Sequence, residues 1–338
     1  MRLLALLFLV SCTQVTSLNL KKHQFGLTPT KIIWFQVAGL EEEQIAMLRF
    51  QLSSDKKTSF EENICYGQTW NYNFYQLRNS AESTFLSQMT GKKNIKNSCD
   101  DALLRPIWSY IASNGYSTAV LENGPKSYQS LLSMNKCQSE EEQSPFLKSL
   151  YFFMRSEPLE GSRSFHYSEE VDLRPNSVSY DRTCGKNGCA SLLSEDFIAV
   201  YSKFNKSFQK HLFIVRDFSY LNALESKNLS LAREILLDLE KTYREALSFT
   251  ASNDYLVLLT TGDSKFVDLP DQGKSFYEFE KGKTTINAKR TKLTNLVLSS
   301  GARAENLCGM YDDSEVFERI LSGPKQQGLE LKIINPFR

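Results

Sequence analysis

The stretch Lys31-Ile-Ile-Trp-Phe-Gln-Val37 is an almost unbroken apolar run, and Ala38-Gly39-Leu40 turns the chain out of it. A run of this kind reads as a strand buried on both faces, the pattern of a parallel sheet covered by helices on each side. Glu41 to Phe50 follows as a helix with three acids in its first turn. Those acids suit the positive helix N-terminus, so they read as a solvated helix start and not as metal ligands. Further out, Pro106 to Ser113 predicts a helix stopped by Asn114-Gly115, and Ser117-Thr-Ala-Val-Leu121 predicts the next strand. Strands are also expected at Leu212 to Val215, Tyr255 to Thr260, Leu296 to Leu298 and Leu331 to Ile334. Ala232, Ile235, Leu236, Leu239, Tyr243 and Leu247 recur at three- and four-residue steps, giving a helix with one apolar stripe and Ser230 as its N-cap.

Strands alternating with helices predict an α/β fold, a three-layer α/β/α sandwich around a mostly parallel sheet. Residues 20–338 form the domain in this reading. Asn123 to Asn205 is rich in Ser, Glu and Lys and contains Gln138-Ser-Glu-Glu-Glu-Gln143, so it is expected as an insertion or cap beside the sheet.

Of 338 residues, 41% are hydrophobic and 23% charged, which excludes wholesale disorder and a polytopic membrane protein. Lys plus Arg number 40 against 39 Asp plus Glu. With no basic excess to neutralise a phosphate backbone, no nucleic-acid partner is expected.

Residues 1–19 read as a targeting segment and lead-in. Arg2 precedes the apolar run Leu3 to Val10, then Ser11 and Cys12. The run is too short to span a bilayer, which needs roughly 20 apolar residues, and has the form of an export signal. Leu9-Val10-Ser11-Cys12 resembles a bacterial lipobox, which implies lipidation at Cys12 and a membrane anchor. Thr13 after it resembles the outer-membrane sorting pattern, so the expected location is the bacterial periplasm, at the outer membrane. A plain secretory signal cut near Ser17 is the other reading. Six further cysteines, an even number in an exported chain, predict up to three disulfides. Cys184-Gly-Lys-Asn-Gly-Cys189 is expected to pair internally, because two glycines permit the tight reversal; half a zinc site is the rival reading.

Three stretches, in order over about 290 residues, resemble the alkaline phosphatase superfamily, which includes sulfatases and nucleotide pyrophosphatases. The first is the strand Lys31 to Val37 with Ala38-Gly39, where the family has a metal-binding Asp-Gly. The second is Asn79-Ser-Ala-Glu-Ser-Thr-Phe-Leu-Ser-Gln-Met-Thr-Gly91, similar to the nucleophile helix. The third is Leu212 to Ile320, which includes Thr261-Gly262-Asp263-Ser264 where the family has Thr-x-Asp-His.

The resemblance implies a bimetal centre around a hydroxyl nucleophile, yet most of its donors are missing. Ala38 stands for the first-strand aspartate, Tyr220 and Leu224 for the Asp and His after the second strand, and Ser264 for a histidine. The last metal histidine falls among Lys292, Leu293 and Thr294. Asp263 alone is kept. Ser80, within Ser80-Ala-Glu-Ser83, reads either as the nucleophile or as a helix cap. His23, His166 and His211 lie away from strand carboxyl ends, and the acidic loop with Asp263, Asp268 and Asp271 reads as solvated, as do Glu82 and Asp100-Asp101.

The functional expectation is an exported, lipid-anchored envelope protein that is a pseudoenzyme. It would act as a binding or scaffolding module for an envelope protein or a small ligand, with Glu82, Asp263 and Ser264 as polar groups in the cleft, no metal and no cofactor. The alternative is an atypical phosphate- or sulfate-ester hydrolase using Ser80, with Asp263 holding zinc or another divalent cation.

Overall fold

The computed structural model describes residues 28–51, 57–97, 99–137, 145–186, 188–268, 277–278, 281 and 288–321. Cys12, Asp271 and the strand expected at Leu331 to Ile334 lie outside these residues.

In chain order the strands are β1 (Lys31–Ala38), β2 (Cys65–Trp70), β3 (Ser117–Asn123), β4 (Leu150–Arg155), β5 (Arg163–Phe165), β6 (Ser177–Asp181), the paired β7 (Cys184–Gly185) and β8 (Gly188–Cys189), β9 (His211–Asp217), β10 (Tyr255–Gly262), the paired β11 (Lys265–Val267) and β12 (Ala288–Thr291), β13 (Thr294–Gly301) and β14 (Gly309–Asp312). Ten of them form one sheet in the order β14-β2-β13-β10-β1-β9-β3-β4-β6-β5. All neighbours pair in parallel except where β13 meets β10 and β2.

The alternation within β1 decides what covers the sheet. Ile33, Phe35 and Val37 face one layer, built from the helices α4 (Leu193–Ser207), α5 (Ser219–Glu225) and α6 (Leu229–Ser248). Ile32 and Trp34 face the other, with α2 (Ala81–Thr90), α3 (Ile107–Ile111) and the closing helix Glu315–Leu321. A further helix, α1 (Glu42–Gln51), follows β1 directly. Period two in the strand and 3.6 in the helices thus produce the expected sandwich.

Two expectations need correction. Residues 123–205 are not a cap: they supply β4, β5, β6 and the core helix α4. The polar loops masked two strong local signals, the run Tyr151 to Met154, buried apart from a half-buried Tyr151, and the buried stripe Phe197, Val200, Tyr201, Phe204. The long helix starts at Leu229, not after Ser230. Asn228 caps it, its Oδ1 accepting the Leu231 amide at 3.1 Å, because this places Leu229 in the core.

Cys184 and Cys189 are disulfide-bonded across β7 and β8, with Cα atoms 3.8 Å apart. Cys65 and Cys308 form a second bridge over a separation of 243 residues, and Cys99 is also disulfide-bonded. Among the described residues, no helix is long and apolar enough to cross a membrane.

Candidate functional site

β10, β1 and β9 lie side by side in parallel, so Gly262, Ala38 and Asp217 end together. Carboxyl ends of adjacent strands are where open α/β sheets bind ligands. Gly39, at φ +88°, turns the chain; its amide donates to the Gly262 carbonyl at 2.8 Å, and a side chain there would meet Leu221 of α5 at 3.1 Å. The turn therefore packs closely on both neighbours.

The polar groups that converge here are already matched to one another. Lys265 Nζ donates to Asp263 Oδ1 at 2.8 Å, and the Thr291 hydroxyl donates to the same oxygen. Ser264 Oγ donates to Asn295 Oδ1 at 3.2 Å and lies 2.9 Å from Thr261 Oγ1. The Lys292 ammonium pairs with Glu41 and, at 3.3 Å, with Glu42. Burial pushes the Glu41 carboxyl up while Lys292 holds it down, and the net shift is upward. For Lys292, burial acts to lower the pKa, but hydrogen bonds and charge from Glu41 and Glu42 raise it overall. Tyr220 donates to Gln44 Oε1 at 2.9 Å, and Gln44 Nε2 donates to the Lys265 carbonyl at 2.8 Å.

A pair of cations does not fit this donor set. Ala38 and Leu224 offer no lone pair, the Tyr220 hydroxyl is buried with its pKa pushed up by burial, and Ser264 is held by neighbouring side chains. Asp263, which could ligate, already carries an ammonium, and the Asp217 carboxylate already accepts from Asn123, the Ser219 hydroxyl and the Tyr220 amide. Lys265 and Lys292 thus neutralise carboxylates of this cluster from within the chain.

Ser80 stands at the N-cap of α2, its Oγ accepting the Ser83 amide at 3.4 Å and lying 3.2 Å from Ser83 Oγ. Glu82, one residue into the helix, acts electrostatically on Arg216. Asp263 and Ser264 are brought together, whereas no hydrogen bond among the described residues joins them to Ser80 or Glu82. His211 is a core residue: its ring meets Tyr201 Oη at 3.2 Å and the Phe208 carbonyl at 2.9 Å, and burial lowers its pKa to about 4. His166 binds Ser168 on the surface and Asp268 pairs with Lys289. Asp100 lies 3.7 Å from Lys96, and Asp101 accepts the Lys96 amide.

Sequence reasoning missed two buried polar networks at the same end of the sheet. In the first, Arg216 is ion-paired to Glu122 and donates to Gln36 at 3.2 Å; Gln88 bridges Thr260 to Asp313, which also binds Thr69 and Asn295. Burial raises Asp313 to about 7 against those hydrogen bonds. In the second, Arg155 pairs with Asp196 and binds Asn123, which donates to Asp217. Asp196 is raised to about 7, by burial first and by the charge of Asp181 in addition, with Arg155 opposing. The only signal in the sequence was a charged pair, Arg216-Asp217, ending the apolar run Leu212 to Val215. The register Glu122↔Arg216 cannot be read from it.

Beside Asp263 opens a cavity of about 620 Å³ lined by Arg78, Phe266, Lys289, Thr291, Lys292 and Leu293. Lys289 and Lys292 are paired to carboxylates. The Arg78 Nε is buried without a hydrogen-bond partner.

A ten-stranded, mostly parallel sheet lies between helical layers, with a polar cluster at the carboxyl ends, and the chain shares this fold with solved alkaline phosphatases. The particular solved structures it is similar to include alkaline phosphatase from the Antarctic bacterium TAB5, at 15% identity and TM-score 0.62, covering 87% of this chain and 97% of that one. The cold-active alkaline phosphatase of a psychrophilic Shewanella sp. is similar at 10% identity and TM-score 0.65, covering 86% and 98%. That of Thermus thermophilus gives 11% and 0.60, covering 90% and 93%. No protein-family model and no curated protein sequence match the chain. At such identities the likeness concerns the fold and not the chemistry.

Proposed function

We propose that this chain is an exported envelope protein, held to the membrane by an acyl chain on Cys12, that uses an alkaline-phosphatase-like fold as a non-catalytic binding module for an anionic ligand. The observation that carries the reading is the pairing of Lys265 with Asp263 and of Lys292 with Glu41. These ammonium groups stand among the carboxylates that a cation would need and neutralise them, which leaves an anion to be met by the remaining cation of the pocket. Arg78, with no ion pair among the described residues, is the group in that pocket best placed to meet a phosphate, sulfate or carboxylate. The disulfides fit an oxidising compartment.

The hydrolase reading is favoured by one observation, the Ser80 hydroxyl at the N-terminus of a ten-residue helix in a fold shared with alkaline phosphatases. It requires bound zinc or another divalent cation.

The test combines elemental analysis of protein purified without chelators, aryl phosphate and aryl sulfate hydrolysis, and calorimetry with inorganic phosphate and sulfate. Substoichiometric metal, no turnover, and anion binding lost in Arg78→Ala are expected. Stoichiometric zinc with turnover abolished in Ser80→Ala would establish the hydrolase instead.

A further inference from the structure

The segment between β2 and α2 inverts the usual rule of burial. From Trp70 to Phe74 the aromatic residues point outward and the asparagines inward: Trp70, Tyr72 and Phe74 are exposed, while Asn71 and Asn73 are buried. Tyr75 and Leu77 extend the exposed set, and Phe74 and Leu77 at the tip are 89% and 67% exposed. Leaving so much apolar surface in water opposes folding, so contiguous patches of this kind mark interaction surfaces.

The loop is held in this inverted form. Asn73 Oδ1 accepts the amides of Tyr75 and Gln76 at 2.7 and 2.8 Å, and its Nδ2 donates to the Ile95 carbonyl at 3.0 Å. Asn71 Oδ1 accepts the Thr84 hydroxyl at 2.9 Å, and Asn94 Oδ1 accepts the Phe74 amide at 3.2 Å. Buried amides satisfy the backbone, so the rings cannot fold back into the core.

Cations surround the rings. Lys93 Nζ lies 4.4 Å from the centre of the Tyr72 ring and Lys96 Nζ 5.9 Å from that of Tyr75. Lys92 is exposed and has no ion pair among the described residues. Acids on this side include Asp312, paired with Lys93, Asp100, 3.7 Å from Lys96, and the buried Asp101, which accepts the Lys96 amide. Lys92 and Arg78, neither of them ion-paired among the described residues, add positive charge to this surface. Apolar tips, rings carrying one polar handle beneath them, and lysines around the rim match the three depths of a bilayer interface.

We infer that the loop from Trp70 to Leu77 is a membrane-contact element that inserts Phe74 and Leu77 into a lipid surface bearing anionic headgroups. Leu293 lines the cationic cavity, and its carbonyl accepts the Asn71 amide at 2.8 Å, so the contact sets the mouth of that cavity at the level of the headgroups. The reach is available. β1 separates the two poles by eight residues, roughly 27 Å. Fifteen residues between Cys12 and Thr28 can extend roughly 50 Å, so an anchor there and this loop can meet one bilayer. Ligand binding and membrane contact are separate properties, and losing either leaves the other standing.

The molecule contains its own reporter. Trp34 and Trp108 are buried at 0% and 3% exposure, so Trp70 is the tryptophan that lipid can reach. The full exported chain is bound to vesicles of phosphatidylglycerol mixed with phosphatidylethanolamine, or to phosphatidylcholine alone, each doped with brominated lipid. Expected are a blue shift and quenching on the anionic vesicles that vanish in Trp70→Phe. Phe74→Ser with Leu77→Ser should lower the partition constant of the loop at least about tenfold, with an unchanged thermal midpoint. Lys92→Glu with Lys96→Glu should lower it about fivefold or more on anionic vesicles only. Unquenched Trp70 in chain bound to anionic vesicles would overturn the inference. So would a loss of self-association, measured by sedimentation, in Phe74→Ser with Leu77→Ser when quenching is unaffected, since the patch would then be a contact between copies.

Discussion

The ammonium of Lys265 lies 2.8 Å from Oδ1 of Asp263, two residues away, just past the carboxyl end of β10. Asp263 adopts a left-handed backbone conformation at φ +51°, which Asp tolerates better than most side chains, and Lys265 begins β11. The turn therefore carries its own counter-ion.

Lys265→Ala frees the Asp263 carboxylate, which remains mostly buried. A loss of about 1 kcal/mol is expected, as for a half-shielded pair. The thermal midpoint of the variant should rise with added magnesium or zinc, whereas that of the parent protein should not. A parent protein already stabilised by either ion would contradict the charge-replacement reading.

Lys292→Met removes the counter-charge from Glu41, whose side chain is 1% exposed and whose Oε1 already lacks a hydrogen bond. A loss of about 2 kcal/mol follows, discounted because Lys292 itself is partly exposed. The sign of the pH effect is set by the raised Glu41 pKa. The variant should recover stability as the pH falls and the carboxyl takes up a proton, and lose it as the pH rises. Urea midpoints from acid to neutral pH read this directly.

Asp313 has its pKa raised by burial to about 7, against an ordinary value of 3.8. The folded state binds this proton more tightly than the unfolded chain. Its contribution is fully present below about 4 and is lost as the pH rises through about 7. Asp313→Asn should flatten that part of the stability profile and leave the variant more stable than the parent at pH above about 7, by on the order of a few kcal/mol. An identical pH profile in the two proteins would show that Asp313 titrates normally.

The Cys65–Cys308 bridge ties the start of β2 to the residue before β14 across 243 residues. Cys308→Ser with Cys65→Ser should cost on the order of 4 kcal/mol, since a long closed loop restricts the unfolded chain strongly. Removing Cys184–Cys189, which closes a short hairpin, should cost clearly less. Denaturant midpoints of the two double variants rank them.

The sequence by itself determined the layers. The apolar run at Lys31 to Val37, the stripe from Ala232 to Leu247 and the Cys184–Cys189 hairpin are local patterns, and hydrophobic periodicity is set by neighbours a few residues apart. That Ala38, Tyr220, Leu224 and Ser264 carry no carboxylate or imidazole was equally legible, because side-chain chemistry is written residue by residue. Residues 123–205 misled because polar loop composition concealed the short buried strands β4 and β6. Only the tertiary structure decided what fills the centre. Lys292 reaches Glu41 across 251 residues, Glu122 meets Arg216 through strand register, and the outward rings of Trp70, Tyr72 and Phe74 depend on buried asparagines. Ion pairs and burial are properties of distance in space, and close packing brings together charges that the chain keeps far apart.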